Sequence, residues 1–225
     1  MPDQSLPEAV LWDMDGTLVD SEHYWMSSER KLARSHGHEW TPEDGMSLIG
    51  QSLYTSAAII KQRIGSHLEI PKIIDLLTDG VLNAMNEDVP WRPGARELLS
   101  ELRAAGIKTA LVTMSMRRMA LTVVDRIGFD AFDLVVAGDD VEHGKPHPEP
   151  YLKAAELLGV DPANCVAIED SETGLASAEA AGTRAVGVVN FMQLRELPTR
   201  VVWTSLAGKT LADLRELFTF DQETR

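Results

Sequence analysis

Apolar and polar positions divide the chain into two regimes. Near its start, Ala9-Val10-Leu11-Trp12 is an unbroken apolar run that ends abruptly in Asp13-Met14-Asp15-Gly16. A short continuous run bounded by turn residues predicts a strand of a parallel sheet covered on both faces. From Ser21 to about Val89 the periodicity is helical throughout, which predicts helices over residues 21–35, 42–49, 53–65 and 71–85, with Gly50-Gln51-Ser52 and Gly65-Ser66 as breakers. In the first of these, Asp20 or Ser21 is placed to cap, and Tyr24, Trp25, Met26, Ser28, Leu32 and Ala33 form a partly apolar face. Trp91-Arg92-Pro93-Gly94 ends this block.

Beyond it, strands and helices alternate. Helices over 95–105, 116–127, 148–158 and 174–181 are each followed by a glycine stop, Gly106, Gly128, Gly159 and Gly182, and strands are predicted over 107–112, 134–137, 165–168 and 185–189. Val201-Val202-Trp203 reads as a last strand, residues 210–217 as a last helix capped by Thr210, and residues 221–225 as a frayed end. Such alternation predicts an α/β fold, a parallel sheet with helices on both faces. Residues 1–19 and 91–225 make this core, and 20–90 are a helical insertion.

Composition narrows the range of partners. The 225 residues, 44% hydrophobic and 25% charged, suit a globular core with a smaller second module. The net charge of -14 repels polyanions, so neither nucleic acid nor an anionic membrane is an expected partner, and an anionic metabolite needs local neutralisation by a metal or a lysine. No apolar run approaches membrane-spanning length, and no secretory leader pattern opens the chain. Its one cysteine, Cys165, sits beside Val166-Ala167-Ile168 and reads as a small buried strand residue; cysteine usage of this kind fits a reducing, cytoplasmic setting.

In a parallel sheet the residues that follow each strand meet at one edge, whatever their separation in sequence. Here they are Asp13 and Asp15, Thr113 with Ser115, Gly138-Asp139-Asp140 followed by Lys145, and Glu169-Asp170-Ser171. Two acids one residue apart repel each other and favour a cation or a shared proton between them. Together the set can bind a divalent cation and a phosphoryl group, and ligation by oxygens alone suits Mg²⁺. Taken singly, Thr113 also reads as a strand residue bonded to backbone, Lys145 as a surface lysine, and Asp139, Asp140 and Glu142 as a solvated loop; His143 and His147 beside Lys145 read as surface or loop-packing residues.

The motifs resemble the haloacid dehalogenase superfamily of aspartate-nucleophile phosphatases and phosphomutases, in the branch with a helical cap inserted after the first motif. Asp13-Met14-Asp15-Gly16-Thr17 resembles the first motif and Thr113, at the end of Ala110-Leu111-Val112, the second. Gly144-Lys145-Pro146 with Pro148 and Tyr151 resembles the third, and Ile168-Glu169-Asp170-Ser171 with Gly174, Ala178, Ala181 and Gly182 the fourth. The resemblance implies a Rossmann-like core, with residues 20–90 as the cap domain. It implies that Asp13 is the nucleophile and forms an acyl phosphate. It implies that Asp15 is the acid and base for the leaving oxygen and the attacking water, which favours phosphate esters over the dehalogenase and phosphonate branches. Gly16 admits backbone amides to the phosphoryl oxygens, Thr17 ties the loop down, and Thr113 with the amide of Met114 holds another phosphoryl oxygen. Lys145 neutralises nucleophile and transferred group. Asp13, Asp170 and the main-chain carbonyl of Asp15 hold Mg²⁺, with Glu169 either a direct ligand or acting through water.

The cap is expected to set specificity through Glu22, His23 and Trp25 on its first helix and the loop Gly50-Gln51-Ser52-Leu53, where Gln51 and Ser52 offer donors to a hydroxylated leaving group. Packing of the Tyr24 and Trp25 rings within the cap is the plainer expectation for those two residues. The expected activity is Mg²⁺-dependent hydrolysis of a small phosphorylated metabolite, such as a sugar phosphate, by a monomer. A β-phosphoglucomutase is the competing reading. Such mutases carry a cap-loop arginine for the second phosphate and a histidine on the first cap helix, where this chain has Leu53 and Trp25; Arg117 is the candidate substitute. A catalytically silent binding protein is the third reading, against which Asp13, Asp15, Lys145 and Asp170 stand intact.

Overall fold

The computed structural model describes residues 6–195, 197 and 200–219. Its centre is a six-stranded, wholly parallel sheet in the order β3-β2-β1-β4-β5-β6. The strands are β1 (Ala9–Trp12), β2 (Lys108–Val112), β3 (Leu134–Val136), β4 (Cys165–Glu169), β5 (Arg184–Val188) and β6 (Val201–Trp203). All four residues of β1 are buried because both faces are covered. Val10 and Trp12 join the cluster that α5 (Ala95–Ala104), α6 (Arg117–Asp125) and α9 (Leu211–Thr219) pack upon, while Ala9 and Leu11 face α7 (Glu149–Leu158) and α8 (Glu172–Ala180). An unbroken apolar run is the sequence of such a strand.

Between β1 and α5 the chain forms α1 (Glu22–Ser35), α2 (Pro42–Met46), α3 (Leu53–Arg63) and α4 (Ile70–Met85). Their interior, with Leu32, Ile60, Ile73, Ile74 and Leu77, is continuous with the apolar layer on the β1 Trp12 face. Thr41 starts α2 with a reciprocal box, accepting from the Asp44 amide at 3.2 Å while Asp44 accepts from its own amide at 2.9 Å. That helix is shorter than the 42–49 expected, and 47–50 continue as turns. The two chain crossings at the base of the block are joined through the backbone: Val19 bridges Trp91, the Asp20 amide donates to the Pro90 carbonyl (2.7 Å) and the Arg92 amide to the Leu18 carbonyl (3.0 Å).

Every predicted strand and helix of the described residues is present, with ends shifted by a few residues. Residues 221–225, expected to fray, lie outside the described set. No helix among the described residues is long and apolar enough to cross a membrane.

Candidate active site

The strand order reverses at β1, between β2 and β4, so the C-terminal ends of these strands open a crevice. The Asp13 amide donates to the Ile168 carbonyl at 3.0 Å, holding the first acid beside β4. The chain then folds over Met14, whose carbonyl accepts from the amides of Thr17, Leu18 and Val19. Gly16 has φ +87°, and a Cβ there would lie 1.9 Å from Asp170 Oδ2. Only glycine lets this backbone turn left-handed against a carboxylate. The Thr17 hydroxyl, expected to tie the loop down, is buried with no partner among the described residues; the Met14 carbonyl ties it instead.

Lys145 crosses beneath this loop. Its Nζ donates to Asp13 Oδ1 (2.7 Å), Glu169 Oε1 (2.6 Å) and the Val112 carbonyl (2.9 Å), and the Tyr151 hydroxyl also donates to Glu169 Oε1 (2.7 Å). Burial alone would lower the lysine, but the Asp13 and Glu169 carboxylates hold it above the ordinary range. One ammonium cannot satisfy both acids. Burial, then repulsion from Glu169, pushes Asp13 up to about 7, and burial, then repulsion from Asp13 and Glu169, drives Asp170 well above the usual carboxylate range. Asp13, Glu169 and Asp170 are all buried, with ligand oxygens within 4.8 Å of one another, and Asp13 Oδ2 has no partner among the described residues. Crowded buried carboxylates with an orphaned oxygen are a donor set that fits a hard divalent cation.

Asp15 lines the same crevice and has its own set of donors. Its Oδ1 accepts from Ser21 Oγ (2.5 Å) and Trp25 Nε1 (3.0 Å), and its Oδ2 from Ser115 Oγ (2.6 Å) and Thr113 Oγ1 (3.4 Å). Ser21 therefore occupies the N-cap position of α1 without capping it, because its hydroxyl is spent on Asp15. Trp25 packs in the apolar cluster of the helical block, as expected, and also points its N–H into the crevice, while Tyr24 packs half-buried against the same cluster and donates to the Asp88 carbonyl at 3.3 Å. Ser115, named at a strand end but given no role, is the closest contact on Asp15 Oδ2.

Above these groups is a cleft lined by Asp13, Asp15, Glu22, Trp25, Glu29, Gln51, Ser52, Thr113, Met114, Lys145 and Asp170, among others. Of its described lining residues five are acidic and Lys145 alone is basic. Burial, then Asp15, pushes Glu22 up to about 8. Ser52 caps α3 by accepting from the Thr55 amide at 3.1 Å, so its hydroxyl oxygen is already engaged. Arg117 is tied to Asp140 through Nε (3.0 Å) and Nη2 (2.5 Å) and to the Val135 carbonyl, and it does not line the cleft. Asp139 accepts from the Arg117 amide, so Asp139 and Asp140 clamp the start of α6.

Asn190, after β5, carried no sequence signal. Arg92 Nη1 donates to its Oδ1 at 2.8 Å, which turns Nδ2 inward; Nδ2 is buried without a partner among the described residues and lies 3.0 Å from the point where a Gly16 Cβ would stand. Asn190 and Asp170 thus converge on Gly16.

A parallel sheet with acids, a buried lysine and hydroxyls gathered where the strand order reverses defines a phosphoryl-transfer type of site. The model of the haloacid dehalogenase-like hydrolases matches residues 7–182, and the chain belongs to that family. It is an enzyme of the family's phosphatase type, a hydrolase of phosphoric monoesters. The phosphorylated carbohydrates phosphatase of Thermotoga maritima is 33% identical over 185 residues, covering 81% of this chain and 86% of that protein. The crystal structure of a mutant CbbY from Rhodobacter sphaeroides, in complex with xylulose 1,5-bisphosphate, has a TM-score of 0.86 at 28% identity and covers 93% of this chain and 99% of that one. The β-phosphoglucomutase of Clostridium difficile has a TM-score of 0.82 at 27% identity, covering 98% and 100%.

Proposed function

We propose that the chain hydrolyses a small phosphorylated metabolite, a sugar or sugar-alcohol monophosphate, with Mg²⁺ and through an aspartyl-phosphate. The observation that carries this is Asp13, a buried carboxylate lining the cleft, with one oxygen on Lys145 and the other without a partner among the described residues. An Asp13 oxygen attacks phosphorus, the bond to the leaving oxygen breaks, and Asp15 supplies that oxygen's proton. Asp15 then takes a proton from water as its oxygen attacks phosphorus, releasing phosphate and regenerating Asp13. Lys145 favours the ionised nucleophile, against burial and Glu169, and meets the charge of the transferred group, with Gly16, Thr113 and the Met114 amide as further phosphoryl contacts. Asp13, Asp170 and the Asp15 carbonyl would hold Mg²⁺, which supplies charge neutralisation at the phosphoryl oxygens. Glu169 acts through water, since Lys145 and Tyr151 donate to its Oε1 and Ser171 Oγ to its Oε2 at 3.3 Å.

Residues 20–90 are the cap, turning about the paired crossings at Val19 and Trp91 to exclude water. Glu22 and Gln51 read the hydroxyls of the leaving group, and Ser52 fixes the loop between them. Among the described residues of this cleft Lys145 is the one cation and it serves Asp13, so a second phosphate has no further counter-charge there, Arg117 being committed to Asp140. The acidic lining therefore favours hydrolysis of a monophosphate over the mutase reading. We take the protein to act as a monomer in the cytoplasm, its one cysteine buried and its thiol pushed up to about 12 by burial.

The test is phosphate release with Mg²⁺ from a panel of sugar and sugar-alcohol phosphates, with β-glucose 1-phosphate followed for isomerisation. Release that Asp13→Asn abolishes supports the reading. Isomerisation without release, or release that survives Asp13→Asn, would overturn it.

A further inference from the structure

The loop between β3 and α7 carries Lys145 inward and, on either side of it, a cluster outward. His143, His147 and Glu149 present ligand atoms within 4.8 Å of one another, on the solvent side. The carboxylate is already in position: Glu149 Oε1 accepts from the Glu142 amide at 2.8 Å and Oε2 from the His143 amide at 2.9 Å. His143 Nδ1 stands 3.0 Å from Glu149 Oε2, and the two imidazole rings lie 4.7 Å apart, centre to centre. His147 Nδ1 meets the Glu149 amide at 3.2 Å. The ribbon beneath is anchored too, with the His147 amide donating to the Gly144 carbonyl and Ser177 Oγ to the His147 carbonyl.

Two ligands on one tetrahedral zinc, each about 2.0–2.2 Å from the ion, stand roughly 3.3–3.6 Å apart. His143 Nδ1 and Glu149 Oε2, at 3.0 Å, reach that spacing by opening a few tenths of an ångström, which the exposed imidazole is free to do. Two imidazoles and a carboxylate are a borderline donor set, suited to Zn²⁺, Ni²⁺ or Co²⁺ and poor for Mg²⁺, which takes oxygen ligands. Both histidines are exposed, so water can complete the coordination.

We propose that His143, His147 and Glu149 form a second metal site, for a zinc-like transition ion, on the outer side of the loop that holds Lys145. An ion there would bind the folded chain only, because the three ligands converge through the loop's own backbone contacts. It is separate from the buried oxygen cluster of Asp13, Glu169 and Asp170.

The experiment is calorimetric titration of the full chain with Zn²⁺ in saturating Mg²⁺, repeated with Co²⁺ while the visible absorption of tetrahedral cobalt is recorded. One equivalent is expected, with a rise in Tm on binding. His143→Ala and His147→Ala, both at exposed positions, should each weaken it tenfold or more, and Glu149→Gln, which keeps an acceptor for the loop amides, should do the same. Asp170→Asn should leave it intact. Zn²⁺ binding unchanged in His147→Ala, binding lost in Asp170→Asn alone, or no binding at millimolar Zn²⁺ would each overturn the proposal.

Discussion

Substituting Lys145 by Met keeps the volume of the aliphatic stem and removes the charge, so its cost is chiefly electrostatic. The ammonium stands 2.7 Å from Asp13 and 2.6 Å from Glu169, with only 5% of the side chain exposed. Deleting one partner of a buried ion pair costs about 3–5 kcal/mol, because the other charge is left unpaired. Asp13 relieves part of that cost by taking up a proton. Asp13 is already raised to about 7 and would rise further without the lysine. A carboxyl raised on folding binds more protons in the folded state, so stability falls as pH rises from its unfolded value, near 4, through its folded one. The loss in Lys145→Met should therefore be about 3–5 kcal/mol at pH 8. At pH 5, where Asp13 is protonated, its share should shrink to that of a neutral hydrogen bond, about 1 kcal/mol, so the total loss should be smaller than at pH 8. Urea denaturation of both proteins at pH 5 and 8, without divalent ions, measures the difference. An equal loss at the two pH values would refute the electrostatic account of this cluster, and a loss below about 1 kcal/mol at pH 8 would mean that the lysine is not buried between charges.

Trp25→Phe keeps the ring and removes the N–H on Asp15 Oδ1, a charge-assisted bond of about 1.5 kcal/mol, so kcat/KM should fall roughly tenfold; an unchanged value would mean that the indole only packs. Asn190→Ala should weaken Mg²⁺ binding about tenfold by calorimetry if Nδ2 supports the Asp170 carboxylate or its water, and equal affinity would return Asn190 to a purely structural part. Glu29 is buried against Trp40, whose Nε1 donates to it at 3.2 Å, and burial pushes its carboxyl up to about 7. Its contribution is therefore lost as pH climbs from 4.5 to 7. Glu29→Gln should be the more stable protein at pH 8 by about 2 kcal/mol and not at pH 4, as denaturation midpoints would report.

Much of the site was legible because parallel sheets gather strand ends, so Asp13, Asp15, Thr113, Lys145, Glu169 and Asp170 meet whatever their separation in the chain. What was misread turned on choices between partners. Ser21 had two uses for one hydroxyl, the amides of α1 or Asp15, and only the distance to Asp15 decides between them. Trp25 does pack in the apolar cluster as its place on α1 predicts, but its N–H also needs an acceptor, and Asp15 is the one it meets. Arg117 stood at a plausible position for a second phosphate, but Asp139 and Asp140, brought alongside by the turn after β3, claim it first.

The sequence by itself determined the order of strands and helices, the place of the helical block within that order and the acids that end β1 and β4, because periodicity and turn residues are local properties of the chain. Tertiary structure alone decided which way each side chain turned once there. It set Lys145 between two carboxylates, spent the hydroxyls of Ser21 and Ser115 on Asp15, and aimed Asn190 at Gly16. Such pairings depend on distances of a few tenths of an ångström between segments up to 174 residues apart, from Gly16 to Asn190. No pattern along the chain encodes them, since each follows from the packing of the whole sheet and its helices.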